Sequence, residues 1–329
     1  MRLHLLIAVL LLFAACKKKE APAPPSQPPP PAKPPVSECK KIPAPPAGFI
    51  WQDSLAKDRN VNAFFYSPVN GEEVIVVING DFPDSYKLVT VNLRTHAETF
   101  LANIDQYLPS VSQQGCNVFS GPDNNIYKVR TNGEGLQQLT FTSGAHDAKW
   151  NAAGTHFFYI QDAQGSLPAR LNLAKADGGT INSWPLTMTY FAPLHKSNKI
   201  IVQERTSNIV TLYLMDLDSN SRKDLLHAPF DHNNESTPFR NLSVNESDNL
   251  LFWSNKTGIF MHDISESRTD TLFKTCETVI YDRPMIGRLN EITFSKHVIS
   301  VLEPVYLLHQ YIAVEYNVVT KEQREIKVY

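Results

Sequence analysis

The sequence predicts an all-β fold, namely a six-bladed β-propeller of four-stranded antiparallel blades. Three observations support this prediction. A hairpin pattern recurs six times, each hairpin follows two further strand-like segments, and no stretch of useful length has a helical period. Alternating apolar and polar residues indicate strands, and a unit of four short strands repeated every 40 to 50 residues or so is typical of propeller blades.

The six hairpins share one design, in which a short alternating strand leads through a polar turn to a second strand. Their turns contain Asn, Asp, Gly and Ser, the residue types that favour tight turns. The hairpins lie at residues 87–101, 125–140, 169–184, 211–226, 258–273 and 310–328. Each supplies the outer half of one predicted blade.

The inner half of each blade is predicted from the segments upstream of the hairpins, such as 155–161 and 249–255. The pattern is weakest in the second blade, at residues 108–124. A four-stranded blade cannot bury both of its faces alone, so we expect large aromatic residues to fill the spaces between blades. These are Phe65, Trp150, Phe158, Trp184, Phe252, Trp253 and Tyr311.

The N-terminus predicts export. Residues 1–15 contain Arg2 and an apolar run too short to span a bilayer, as in a secretory signal peptide. The sequence "LFAAC" that ends at Cys16 resembles the lipobox of bacterial lipoproteins. This resemblance implies that Cys16 becomes a lipid-modified N-terminus and that the membrane is a partner through this anchor.

Residues 16–47 predict a disordered, proline-rich tether, and the propeller is expected to occupy residues 48–329. More than half of the 23 prolines lie between Ala21 and Pro46, and such a segment favours extended polyproline II. The tether contains six lysines and two glutamates, although the whole chain has a net charge of -2. A basic tether suits an anionic bilayer surface, and the overall charge does not suggest nucleic acid. The expected location is the cell envelope, preferably the outer membrane on either its periplasmic or its outer side.

Three cysteines remain after Cys16, so at most one intramolecular disulfide forms among Cys39, Cys116 and Cys276. Cys39 with Cys276, Cys116 with Cys276, and three free thiols all stay open. The sequence contains no CxxC, HExxH or GxSxG motif. No catalytic residue, metal site or cofactor is therefore predicted.

Residues 126–160, "IYKVRTNGEGLQQLTFTSGAHDAKWNAAGTHFFYI", resemble the WD40-like repeat of TolB-type six-bladed propellers. Asp147, Trp150 and Gly154 occupy positions of that repeat. The turn after Trp150 reads Asn-Ala-Ala-Gly and not Ser-Pro-Asp-Gly. The tripeptides 53–55 and 270–272 also resemble O-glycosylation sites of Bacteroidetes proteins. The resemblance implies the propeller fold, and the role of TolB itself is not carried over.

Function is expected on the propeller face that gathers two sets of loops, because loops held by a rigid scaffold concentrate binding residues. One set joins the outer strand of a blade to the next blade, and the other joins second to third strands. The candidate residues of this funnel are His146, Asp147, Asp81, Asp162, Arg205, Asp231 and His232. For Asp147 the alternative is a purely structural role, in which its carboxylate caps a turn.

These features favour an envelope lipoprotein whose propeller is a non-catalytic protein-binding or scaffolding module. Two alternatives remain. One is an enzyme of the lyase or glycosidase type, and the other is a surface protein that binds a glycan or peptide in the funnel. An enzyme requires converging titratable groups, a scaffold requires an exposed apolar patch, and a sugar binder requires exposed aromatic rings beside polar groups.

Replacing Cys16 tests the predicted anchor. Cys16→Ser removes the thiol that would carry lipid, so the protein should move from the membrane fraction to the soluble fraction. Fractionation and immunoblotting measure this shift, and Cys116→Ser provides the matched control. Unchanged membrane association of the Cys16→Ser protein would exclude the lipoprotein interpretation.

Overall fold

A computed structural model describes residues 61–326, except for 80–85, 152, 186–187, 231–237, 277, 287–289 and 303–305. The predicted signal peptide and tether, including Cys16 and Cys39, lie outside the described residues. None of the helices in the described part of the chain is long and apolar enough to cross a membrane.

The described residues form 24 strands in six sheets. The strands of blades 1 and 2 are β1 (Val61–Tyr66), β2 (Glu73–Asn79), β3 (Tyr86–Asn92), β4 (Glu98–Ile104), β5 (Ser110–Val111), β6 (Cys116–Ser120), β7 (Ile126–Arg130) and β8 (Gln137–Gln138). Those of blades 3 and 4 are β9 (Ala145–Trp150), β10 (His156–Gln161), β11 (Arg170–Lys175), β12 (Thr180–Pro185), β13 (Met188–Pro193), β14 (Lys199–Thr206), β15 (Ile209–Asp216) and β16 (Arg222–Pro229). Those of blades 5 and 6 are β17 (Arg240–Val244), β18 (Leu250–Asn255), β19 (Gly258–Asp263), β20 (Arg268–Lys274), β21 (Val279–Ile286), β22 (Glu291–Leu302), β23 (Tyr306–Asn317) and β24 (Gln323–Ile326).

Each sheet consists of four consecutive antiparallel strands, which confirms the predicted six-bladed propeller of four-stranded blades. The second blade is the least regular, because its strands β5 and β8 contain two residues each. The central strands read as apolar runs because both of their faces are covered. In β10, for example, Phe157 to Ile160 are all buried.

Six apolar clusters lie between neighbouring blades, one at each of the six junctions. At the junction of blades 3 and 4, the rings of Phe158 and Phe191 meet edge to face at 6.3 Å. Six of the seven aromatic residues predicted for the core are buried: Phe65, Trp150, Phe158, Trp184, Phe252 and Trp253. The seventh, Tyr311, lies where side chains are not described.

Among the described residues, blades 6 and 1 meet through side-chain packing, and each of their sheets contains four strands of its own. Ala313 of β23 packs in one cluster with Phe64 of β1. The hydroxyl of Thr293 donates a hydrogen bond of 2.8 Å to the carbonyl of Phe64. The guanidinium of Arg324 donates to the hydroxyl of Tyr66 at 3.2 Å.

The structure decides between the predicted arrangements of the cysteines. Cys276 is disulfide-bonded, whereas Cys116 is a free thiol. The predicted pair of Cys116 with Cys276 is therefore wrong, and so is the prediction of three free thiols. Trp150 and Cys116 instead meet through the indole nitrogen, which donates to the Cys116 carbonyl at 2.7 Å.

The packing between blades predicts which aromatic residues stabilise the fold. Phe252 is buried against Phe294 and Val314 of the neighbouring blade, so Phe252→Ala should lower the free energy of unfolding by about 3–5 kcal/mol. Chemical denaturation measures the difference. Phe141→Ala is the matched control, because the Phe141 side chain is 79% exposed, and its effect should stay within about 0.5 kcal/mol. Equal losses in both variants would contradict the interface packing.

Candidate functional site

The inner strands of the six blades surround a cavity of about 480 Å³ along the propeller axis. Every blade contributes to its wall. Representative lining residues, one from each blade in order, are Tyr66, Tyr107, Asp147, Tyr190, Arg240 and Asp282. The volume lies within the range of small-molecule sites in proteins, which is roughly 300–1,000 Å³.

A β-bulge with two residues opposite one shapes this wall in the inner strands of blades 3, 5 and 6, and the inner strands of blades 1 and 4 also shift register. In blade 3, Lys149 pairs with Phe158 and His146 with Ile160, so two residues of β9 oppose one of β10. The same irregularity occurs in β17 and β21. Bulges re-aim side chains and are frequent beside active sites.

The first bulge residue of each of these strands has a positive φ, which is uncommon for residues other than glycine. The three residues are Asp147 at 49°, Asn241 at 53° and Arg283 at 57°. All three line the cavity. Such a conformation costs roughly 1–3 kcal/mol and persists only where the surroundings determine it.

Lys149 and Asp147 form a buried pair at the wall of blade 3. The Lys149 ammonium lies 3.6 Å from Asp147 Oδ1. It also donates a hydrogen bond to the carbonyl of Phe191 in blade 4, and it lies 4.9 Å from the centre of the Phe191 ring. The second carboxylate oxygen of Asp147, Oδ2, has no hydrogen-bond partner in the described part of the chain. Asp147 therefore does not cap a turn through its carboxylate, contrary to the structural alternative.

Asp282 in blade 6 has a different environment. Its Oδ1 accepts hydrogen bonds from Asn241 Nδ2 at 3.1 Å and from Ser254 Oγ at 2.5 Å. Its Oδ2 lies 3.9 Å from Arg283 Nε. Both oxygens of the Asp282 carboxylate therefore have partners within the protein, and the carboxylate links blades 5 and 6.

Tyr107 covers the wall beside Asp147. Its ring stacks on that of His146, with centroids 4.5 Å apart and planes 19° apart. His146 Nε2 lies 3.0 Å from Asp162 Oδ1. Burial and, next, the Asp147 carboxylate raise the pKa of Tyr107 to about 12. At neutral pH the phenol is therefore protonated and serves as a hydrogen-bond donor, not as a base.

Arg240 and Glu246 are charged lining residues whose side chains have no ion-pair or hydrogen-bond partner among the described residues. Arg240 is half-buried at the start of β17, whereas Glu246 is exposed just after its end. The His195 side chain, unlike those of Arg240 and Glu246, has a partner in the described part of the chain, because its Nε2 lies 2.9 Å from the Val244 carbonyl. Within the residues described, no group of three His, Cys, Asp or Glu side chains could hold a metal ion.

The predicted funnel and this cavity coincide only in part. His146 pairs with Asp162, and of the predicted residues that the structure describes only Asp147 lines the cavity. Asp162 instead borders a shallow depression beside Ser143. Arg205 lies outside the cavity, with its guanidinium 3.5 Å from the centre of the Phe230 ring. Asp81, Asp231 and His232 lie outside the described residues.

The sequence interpretation missed most of the lining residues because it looked for them on loops. Lys149, Arg240, Asn241 and Asp282 lie within inner strands, and Tyr107 lies just before one. The sequence contained one signal for the bulge residues, namely a shared spacing to a later apolar residue. Asp147, Asn241 and Arg283 precede Trp150, Val244 and Ile286 by three residues in their own blades.

Comparison with known proteins supports the fold. No family model and no curated protein matches the chain. Among solved structures, a protein described as TolB from Agrobacterium tumefaciens is similar with a TM-score of 0.56 at 10% identity, over 74% of this chain and 88% of that one. The propeller domain of the Trilobed protease from Pyrococcus furiosus has a TM-score of 0.51 at 8% identity, over 83% and 97%.

An acylaminoacyl peptidase from Pyrococcus horikoshii is also similar, with a TM-score of 0.52 at 8% identity over 82% of this chain. This chain spans 53% of the peptidase. At these identities the similarity shows a shared six-bladed propeller and does not transfer an activity.

Proposed function

We propose that this protein is a cell-envelope lipoprotein, anchored through Cys16, whose propeller is a non-catalytic binding module with its ligand site in the central cavity. One observation carries the proposal. The cavity wall holds a 4% exposed aspartate in a strained backbone conformation, with a carboxylate oxygen that no described residue pairs. Binding sites retain such unpaired and strained groups because a ligand compensates them.

A binding role fits the chemistry of the wall better than catalysis does. General acid–base catalysis near neutral pH needs a group that titrates there. Tyr107, which lies against the Asp147 carboxylate, has a pKa of about 12 and holds its proton. Aromatic rings beside polar groups, as at Tyr107 and Tyr190, are the pattern expected for the capture of a small glycan or peptide.

A pair of arginine variants tests this site. Ligands are screened by thermal unfolding with a muropeptide, a neutral tetrasaccharide and tripeptides. A compound that binds the cavity at 100 times its Kd should raise Tm by about 5 °C in the unaltered protein. Arg240→Ala should reduce that shift, because Arg240 lines the cavity, whereas Arg205→Ala should preserve it. The opposite result would place the ligand on the loop face instead.

A second candidate function, protein docking, has its own supporting observation. Two exposed apolar side chains, Phe141 at 79% and Leu167 at 57%, lie on loops of the same propeller face. Hydrogen bonds join the loops, since Gln164 Nε2 donates to the Ser143 carbonyl at 2.7 Å and Asp162 N to the Gly144 carbonyl at 2.8 Å. An exposed apolar patch on a rigid surface suits a protein partner.

Crosslinking and affinity capture from envelope fractions test the docking surface. A specific partner should be recovered with the unaltered protein and lost with the double variant Phe141→Ser, Leu167→Ser. Val319→Ser is the matched control, because Val319 is 67% exposed in the turn between β23 and β24. Recovery of the same proteins with all three would contradict docking at these loops.

A further inference from the structure

We propose that the ligand of the central cavity is a small zwitterion, with its ammonium group bound at Asp147 and its carboxylate bound at Arg240. The inference rests on the proposed binding function of the cavity and adds the chemical class of the ligand.

The ammonium site follows from the imbalance at Asp147. Its carboxylate is almost fully buried, yet Oδ1 lies 3.6 Å from the Lys149 ammonium and Oδ2 accepts no hydrogen bond from the described residues. Buried carboxylates normally receive several donors. Asp147 is one of the residues that line the cavity, so a donor bound there lies beside its carboxylate.

Comparison among the blades shows that this imbalance is particular to blade 3. Asn241 has the same place in the bulge of blade 5, and its amide donates to Asp282 of blade 6. Arg283 has that place in blade 6 and faces Asp282 and the ring of Tyr86. Two of the three bulge residues are thus used to join neighbouring elements, and Asp147 alone of these three keeps an open hydrogen-bonding position.

The carboxylate site follows from Arg240. Lys149 and Arg283 also line the cavity, but each has an acidic neighbour. Arg240 is half-buried, and in the described part of the chain no acid pairs with its guanidinium. A guanidinium presents parallel N–H groups that match a carboxylate, so a half-buried and unpaired arginine is suited to that group.

The charge of the whole wall selects a zwitterion over a simple ion. Three cations, Lys149, Arg240 and Arg283, balance three acids, Asp147, Asp282 and Glu246. A ligand with net charge would add an uncompensated charge to this balanced wall, whereas a zwitterion keeps the balance. The aromatic residues Tyr107 and Trp150 line the same cavity as Asp147, and aromatic rings attract ammonium groups.

A series of simple probes tests both sites with the full chain. Binding of 4-aminobutanoate, 6-aminohexanoate and 8-aminooctanoate is measured by isothermal titration calorimetry beside hexanoate and hexylamine, which each carry one charge. The length that spans the two sites should bind at least about tenfold more tightly than either singly charged compound.

Two conservative variants assign the groups. Asp147→Asn should weaken binding of the zwitterion and of hexylamine by about tenfold or more and leave hexanoate unchanged. Asn is suited to this backbone, because Asn241 adopts a φ of 53° at the equivalent position. Arg240→Gln should weaken the zwitterion and hexanoate and leave hexylamine unchanged. Glu134→Gln, on an exposed turn of blade 2 outside the cavity, should change none of the affinities by more than about twofold.

The outcomes separate the ligand class from the binding function. Equal affinity for the zwitterions and the singly charged compounds, or affinities that neither variant alters, would overturn the zwitterion assignment. If the zwitterions fail to bind but a muropeptide, saccharide or tripeptide binds in an Arg240-dependent manner, the ligand class is wrong and the binding function stands. If no compound of either panel binds, both proposals are wrong.

Discussion

The burial of two apolar faces on every blade is the constraint on which the rest of this structure depends. A four-stranded sheet whose central strands are apolar on both faces needs a neighbouring blade against each face. The six clusters supply these neighbours, and the ring has to close so that blades 1 and 6 are covered as well. In the described part of the chain, side chains such as Ala313 and Thr293 join blade 6 to blade 1.

The inner strands face a different problem, because they border a cavity too wide to be filled by their own side chains. Polar and charged residues occur there, and most of them hold one blade to the next. Lys149 reaches the carbonyl of Phe191, and Ser243 donates to the carbonyl of Pro284 at 3.0 Å. These bonds fix the strands that carry the candidate ligand groups. The site is therefore built on the most constrained part of the ring, where the geometry of bound groups is best controlled.

Much of the fold could be predicted from local patterns. The alternation of apolar and polar residues is a property of each strand alone. The six hairpins could therefore be predicted, and so could the second blade, whose pattern at residues 108–124 is the weakest. The site was less accessible. A bulge places two residues against one and shifts the side chains that follow, so Arg240 and Asp282 could not be assigned to the channel from alternation alone. Arg205 was expected in the funnel, but the ring of Phe230 holds its guanidinium outside the cavity.

The repeated bulge offers a way to separate structure from function within this one chain. Its three first residues share a backbone conformation, and each therefore carries a similar strain. Asn241 offsets that strain by joining blades 5 and 6, and Arg283 does so through an acid and an aromatic ring. Asp147 adds to the strain a buried carboxylate whose Oδ1 faces Lys149 and whose Oδ2 has no hydrogen-bond partner among the described residues. The first bulge residue has a positive φ in all three blades, but at Asp147 one carboxylate oxygen has no hydrogen-bond partner among the described residues. Asn241 shows that a residue at this position can be hydrogen-bonded within the protein. An external ligand therefore explains Asp147 better than folding does.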